Sequence, residues 1–208
     1  MTDPGQPIIN MTGRLVALGP VDRTMLPSFQ RWINAFDVQA RIGMAFPGPM
    51  TVEDQERWFE QISANASSRT FAVHDLVLGQ VVGTTSVQGI DWRNGTGVVG
   101  ILIADPTGRG RGLGTETTRL VLHYAFTVLG LRAMSLSVAE FNVAGIRAYS
   151  RAGYREAGRL RKHWFFEGAY WDRIYMDCLA EELHDIELND HLAPEEPATG
   201  YAGADSAE

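Results

Sequence analysis

Four glycines at a spacing of two, Gly108, Gly110, Gly112 and Gly114, with Arg109 and Arg111 between them, are the residues of this 208-residue chain best suited to chemistry. Glycine lets a backbone come close to a ligand and adopts dihedrals that other residues avoid. A helix opening near Leu113 leaves its first amides as free donors for an anion, and the two arginines add positive charge beside them. A pyrophosphate suits such a loop, and so does a plain surface turn with solvated arginines. The Gly-Lys-Ser or Gly-Lys-Thr ending of a Walker A loop is absent, which disfavours a triphosphate hydrolase. The glycine spacing also departs from the G-x-G-x-x-G of dinucleotide-binding folds.

The loop needs a strand to deliver it and a helix to receive it. The apolar run from Val98 to Ile103 supplies the strand. Leu113, Thr117, Leu120, Val121, Tyr124, Ala125 and Val128 recur at helical spacing as far as Leu129, and Gly130 stops that helix. Upstream, residues 14–18 read as a strand ended by Gly19-Pro20, and 22–35 as a helix capped by Asp22. Residues 36–50, rich in glycine and proline, read as an irregular segment suited to lining a pocket. A second helix is capped by Thr51 and carries Trp58, Phe59 and Ile62 on one side; strands follow at 71–74 and 80–90. Downstream come a strand at 132–138, a helix at 144–151, a strand from Gly153, a turn over 165–170, and a last strand at 171–179. This order predicts one mixed α/β domain over residues 13–180, built on a mainly antiparallel sheet with crossovers late in the chain. Residues 1–12 read as a flexible leader, and residues 181–208 as an acidic, mobile tail.

The formal charge of -7 is unevenly spread. Nine carboxylates and no lysine or arginine lie from Glu181 onward, leaving 16 carboxylates against 18 basic residues in the body. A nearly neutral body gives no support for a nucleic-acid groove. Cys178 is the only cysteine, so an intrachain disulfide and a cysteine-clustered metal site are excluded. No run reaches the length of a membrane span and no signal-like start is present, so a cytoplasmic location without metal or membrane is expected.

Taken together, the motifs resemble the GNAT superfamily of N-acetyltransferases, most closely the branch of ribosomal-protein N-terminal serine and alanine acetyltransferases and spermidine acetyltransferases. Arg109-Gly-Arg-Gly-Leu-Gly-Thr-Glu is similar to its R-G-x-G-x-G loop. His123-Tyr-Ala-Phe with Gly130-Leu-Arg, the segment Val138 to Tyr154 with Asn142, Ile146 and Tyr149, and Gly168-Ala-Tyr-Trp-Asp resemble the branch's later motifs in order. The resemblance spans about residues 13–180. It implies a splayed central sheet and acetyl-CoA as acyl donor, with the pyrophosphate on Arg109, Gly110, Arg111, Gly112, Leu113, Gly114 and Thr115. The pantetheine arm would pair with the backbone of Ile101, Leu102 and Ile103, as an added strand does. Asn142 would make a polar contact to the coenzyme, though a helix cap explains it as well. Tyr149, two turns on, would protonate the departing thiolate, and it reads equally as a core tyrosine.

The implied reaction is attack of a neutral primary amine on the thioester carbonyl, and a base must then receive the amine proton. Many relatives carry a glutamate in A-E-I-G-I, where this chain has Gly97-Val98-Val99-Gly100-Ile101. Val98 accepts no proton, which leaves another side chain reached through water, uptake of an already neutral amine, or an altered or lost activity. Glu140 is the replacement considered first, ahead of Asp91 and His74, with an ordinary solvated acid as its plain alternative. The acceptor is expected to be a protein N-terminus or a small amine-bearing metabolite. A polyamine, a longer acyl donor, and a CoA-binding regulatory protein without turnover stand as alternatives. The aromatics Trp164, Phe165, Phe166, Tyr170 and Trp171 would cover the acceptor opening, form a homodimer face, or pack the hairpin.

Overall fold

Alternation of apolar residues in the first half of the chain builds one continuous sheet. The computed structural model describes residues 7–42 and 48–183. Strands β1 (Met11–Thr12), β2 (Val16–Pro20), β3 (Arg69–Asp75), β4 (Gln80–Asp91) and β5 (Thr96–Ile103) pair antiparallel in sequence order. Strands β6 (Ala133–Ala139), β7 (Arg155–Phe166) and β8 (Ala169–Leu179) complete an eight-stranded sheet of order β1-β2-β3-β4-β5-β6-β8-β7. The single parallel pair among these strands is β5–β6, and its ladder runs only from Thr96↔Ala133 to Val98↔Ser135. Beyond Val98, β5 stays with β4 as far as Ile103, while β6 stays with β8 as far as Ala139. The sheet therefore opens between β5 and β6.

Helices α1 (Leu26–Ile33), α2 (Phe36–Arg41) and α3 (Val52–Ala64) separate β2 from β3, and α4 (Leu113–His123) and α5 (Val143–Ala152) flank β6 in the chain. A capping box starts α3: the Asp54 amide donates to Thr51 Oγ1 at 3.2 Å and the Thr51 amide to Asp54 Oδ2 at 2.7 Å. Helix α4 joins two core clusters through adjacent residues. Leu113 and Leu120 pack with Val16, Leu18, Val73 and Val82, whereas Val121 and Leu122 pack with Met134, Tyr154 and Cys178. Its last turn, Tyr124–Val128, is π-helical rather than a plain continuation to Leu129.

Three boundaries differ from the sequence reading. Residues 36–41, expected to be irregular, form α2. It lacks a side-chain cap, but Asp37 sits in its first turn, Arg41 in its last, and Val38 is buried. Met11 and Thr12, assigned to the leader, pair with Leu18 and Ala17. The last hairpin turns at Glu167-Gly168 instead of over 165–170, because Phe165↔Tyr170 and Phe166↔Ala169 still pair. At the junction with the acidic tail, Ala180–Glu182 is a short 3-10 turn anchored by the Glu182–Arg155 ion pair at 2.6 Å. Residues 184–208, like residues 1–6 of the leader and 43–47, lie outside the described part. No helix of the described residues is long and apolar enough to cross a membrane.

Candidate active site

The glycine loop is shaped by its backbone. Gly110 and Gly112 have φ of 73° and 89°, a region that strains any residue with a Cβ, and Gly112 caps α4 without supplying a side-chain acceptor. The amides of Leu113, Gly114 and Thr115 open α4 and have no carbonyl a turn earlier to bond. They face a cleft of about 350 Å3 bounded by Ile101, Leu102 and Ile103 of the splayed strand, the loop, and α5. Arg41, Arg109, Arg147 and Arg151 line this cleft, and among the described residues no carboxylate does. An extended polyanion with an amide-bearing arm fits that electrostatic and hydrogen-bonding pattern.

Most of the residues singled out from sequence meet along this cleft: Ile101, Leu102, Ile103, Arg109, Gly110, Gly112, Leu113, Gly114, Thr115, Asn142 and Tyr149. The two loop arginines do not act as a pair of free cations. Arg111 is not among the lining residues, and its guanidinium binds Asp75, which is fully buried. Arg109 pairs with Asp37 of α2 and donates from Nη2 to the Ala104 carbonyl at 2.7 Å. Their positive charge thus fastens the loop to its surroundings, and the amides remain the groups directed at a ligand.

Asn142 satisfies both readings of its position. Its Oδ1 accepts from the Gly145 amide at 3.0 Å, capping α5, and its Nδ2 donates to the Arg41 carbonyl at 3.5 Å while the residue lines the cleft. Tyr149 is half-buried, packs edge-on to Tyr154 at 6.2 Å, and makes no side-chain hydrogen bond with a described residue. Burial pushes its phenol up to about 12, so it stays a proton donor through the physiological range.

Glu140 does not reach either cavity. Its carboxylate accepts from the Asp172 amide at 3.2 Å and faces Arg159 at 3.5 Å, so it serves the β7–β8 hairpin. Asp91 holds its own turn through the Arg93 and Asn94 amides. His74 is buried in β3 away from both cavities, and burial lowers its pKa. Cys178 is fully buried with its thiol pushed up to about 11, which leaves it without nucleophilic character. Among the described residues no three histidine, cysteine, aspartate or glutamate side chains converge as metal ligands.

A second cavity of about 760 Å3 lies on the other side of β5. Its roof is Phe29 and Trp32 of α1 with Gln55, Trp58 and Ile62 of α3; its floor is Thr84, Ser86 and Gln88 of β4 with Gly100 of β5. Ile42, Ile101 and Leu102 line both cavities, so the two meet at the opened strand. The sequence reading missed this wall. The alternation Thr84, Ser86, Gln88 was its available signal, since polar residues at every second strand position mark a polar face. Of the hairpin aromatics, Phe166 stacks on Phe141 at 4.7 Å and meets Phe36 of α2 at 6.1 Å, and Trp171 packs on Phe141. They tie the hairpin to α2, and Phe165 and Tyr170 stay exposed.

Comparison with known proteins agrees with this geometry. The profile of the acetyltransferase (GNAT) domain family matches residues 16–155. The SPbeta prophage-derived uncharacterized N-acetyltransferase YokL of Bacillus subtilis is 29% identical over 141 residues, covering 68% of this chain and 76% of that protein. The spermidine N(1)-acetyltransferase of Escherichia coli is 32% identical over 93 residues, 45% of this chain and about half (48%) of that protein. The crystal structure of the Vibrio cholerae spermidine N-acetyltransferase in complex with CoA and spermine superposes with a TM-score of 0.73 at 23% identity, covering 82% of this chain and 99% of that one. With its glycine loop, its strand opened at Val98 and a family profile matched across both, this chain belongs to the GNAT family and is an acetyl-CoA-dependent acetyltransferase.

Proposed function

We propose that this protein transfers an acetyl group from acetyl-CoA to a primary amine of an aliphatic polyamine. The observation that carries the transfer is the shared wall: a thioester laid along Ile101 and Leu102 from the cationic cleft presents its carbonyl to the second cavity. The amine nitrogen attacks that carbonyl, a tetrahedral intermediate forms, and the C–S bond breaks. Tyr149 gives its phenolic proton to the leaving sulfur and is reprotonated from solvent, while the proton released by the amine passes to water.

The polyamine reading draws support from the spermidine acetyltransferases among the relatives and from the lining of the acceptor cavity. Phe29, Trp32 and Trp58 offer aromatic faces to methylenes and to a distal ammonium, and amides and hydroxyls offer partners along the floor. One observation favours a less charged acceptor, such as a protein N-terminus. Asp54 is the only carboxylate among the described lining residues, and it is held by Thr51 and Arg57. Asp37 of α2 and Glu56 of α3 are likewise engaged, with Arg109 and Arg23. Initial rates separate the two. Spermidine should exceed N-terminal peptides and simple monoamines by at least about tenfold in kcat/KM, the effect of about 1.4 kcal/mol of extra binding. A peptide preferred over spermidine would move the assignment to protein N-termini.

A further inference from the structure

Thr84, Ser86 and Gln88 alternate along β4, so all three project toward the face on which α1 and α3 lie, and all three line the acceptor cavity. Opposite them on β5 stand Leu102, Gly100 and Val98. Ser86 is only 5% exposed, and its Oγ accepts from Gln88 Nε2 at 2.7 Å. That bond fixes the Gln88 amide and leaves its acceptor end, Oε1, without a partner among the described residues. Gly100 is the space into which this pair fits. A Cβ there would stand 2.9 Å from Ser86 Oγ and 3.0 Å from Gln88 Nε2. The amide therefore lies over the opened strand, one residue from Ile101 and across the ladder from Val98.

Gln55 of α3 adds an independent observation from the roof. It is 5% exposed, lines the same cavity, and its side-chain amide makes no hydrogen bond with a described residue. Although the residue is largely buried, its amide is not sealed from solvent, so the unpaired group opens to the cavity and is available to something that enters it.

The geometry points to Gln88 and Gln55 as positioning residues for the acceptor amine, in an enzyme that takes this amine in its uncharged form. The inference rests on the amine-acetylation reading above. An uncharged amine donates its N–H bonds to the two amide oxygens and keeps its lone pair for the carbonyl; an ammonium has no lone pair to offer. No described residue from α1, β3, β4 or β5 brings a titratable side chain to the cavity wall. Helix α3 brings Asp54 and Arg57, which pair with each other, and Asp54 is further held by the Thr51 amide and hydroxyl. The proton of the reacting nitrogen is accordingly shed to solvent before attack, which replaces the work of an acid at the Val98 position.

The test is kcat/KM against pH for a series of primary amines of graded basicity, in wild type, Gln88→Leu, Gln55→Leu and Gln88→Glu. In wild type the logarithm should rise with unit slope and level off at the pKa of each amine in turn. An inflection at one fixed pH for every amine would reveal an enzyme base and overturn the inference. Each leucine variant should raise the KM for the amine about tenfold, the effect of one lost hydrogen bond, while leaving the KM for acetyl-CoA within about twofold. Gln88→Glu should add an inflection that no longer follows the amine. Gln55 is buried, so its variant is checked by Tm; exposed Gln88 carries the test if Gln55→Leu fails to fold. Calorimetry with CoA and with CoA joined through an acetyl bridge to spermidine separates the two ideas. If wild type acetylates no amine yet binds the conjugate more tightly than CoA, and Gln88→Leu removes that gain, the positioning stands and the acetylation reading falls. If wild type acetylates amines and the leucine variants behave like it, the positioning alone falls.

Discussion

Tyr149 combines two properties that seldom coincide: it packs against the core beside Tyr154, yet its residue lines the cleft and its hydroxyl is claimed by no described side chain or backbone group. Burial raises its pKa to about 12, so the proton it is proposed to give to sulfur is present throughout pH 6–10. Deprotonation of this phenol contributes no falling limb to the rate profile below about pH 11. Tyr149→Phe keeps the ring and removes only the donor, so kcat should drop about 100-fold while the KM for acetyl-CoA stays within about twofold. Steady-state kinetics at saturating amine check this, and unchanged kcat would move the proton delivery elsewhere. This tyrosine and Asn142 were legible because their positions two helical turns apart follow a strand and a cap, features that sequence displays. Glu140 was offered as a base from its place in the loop beyond the strand, and that place says nothing of the Arg159 and Asp172 groups that the hairpin brings to it.

Between elements, the Arg111–Asp75 pair, with its carboxylate buried, ties the glycine loop to the end of β3. Burial acts to raise the Asp75 pKa, but the Arg111 guanidinium and the Leu78 and Val77 amides outweigh it and hold the carboxyl below its ordinary value of 3.8. A depressed carboxylate stabilises the fold above its unfolded pKa, and that contribution disappears as pH falls through the lower folded value. Wild type should therefore lose stability below about pH 4 more steeply than Asp75→Asn. At neutral pH that variant should unfold about 3 kcal/mol more easily, near the low end for a broken buried pair because the Arg111 side chain is one-third exposed. Urea titrations at pH 7 and pH 3.5 measure both, and equal stability of the two proteins at pH 7 would refute the role. Strand β5 and helix α4 were readable from apolar period and glycine punctuation. Helix α2 was not, since it is six residues long, lacks a side-chain cap, and precedes the glycines and prolines of 43–49. What holds it are distant partners: Arg109, Phe166 and Asn142.

At the scale of the molecule, function follows from the ladder between β5 and β6 ending at Val98. That opening lets a cationic cleft and an aromatic-roofed cavity share Ile42, Ile101 and Leu102, and in the proposed function donor and acceptor meet at that wall without a covalent intermediate on the protein. The donor side was legible because one contiguous loop builds it. The proposed acceptor side was not: Gln55, Ser86 and Gln88 are ordinary polar residues that meet only through strand register and the docking of α3 on the sheet. The most direct test of the account is mass spectrometry of products after incubating the purified protein with acetyl-CoA carrying a labelled acetyl group and a panel of polyamines, monoamines and N-terminal peptides. The account predicts a labelled N-acetyl product, most abundant with spermidine, formed together with an equal amount of free CoA. Tight CoA binding with no labelled amine from any member of the panel, or CoA release matched only by free acetate, would contradict it.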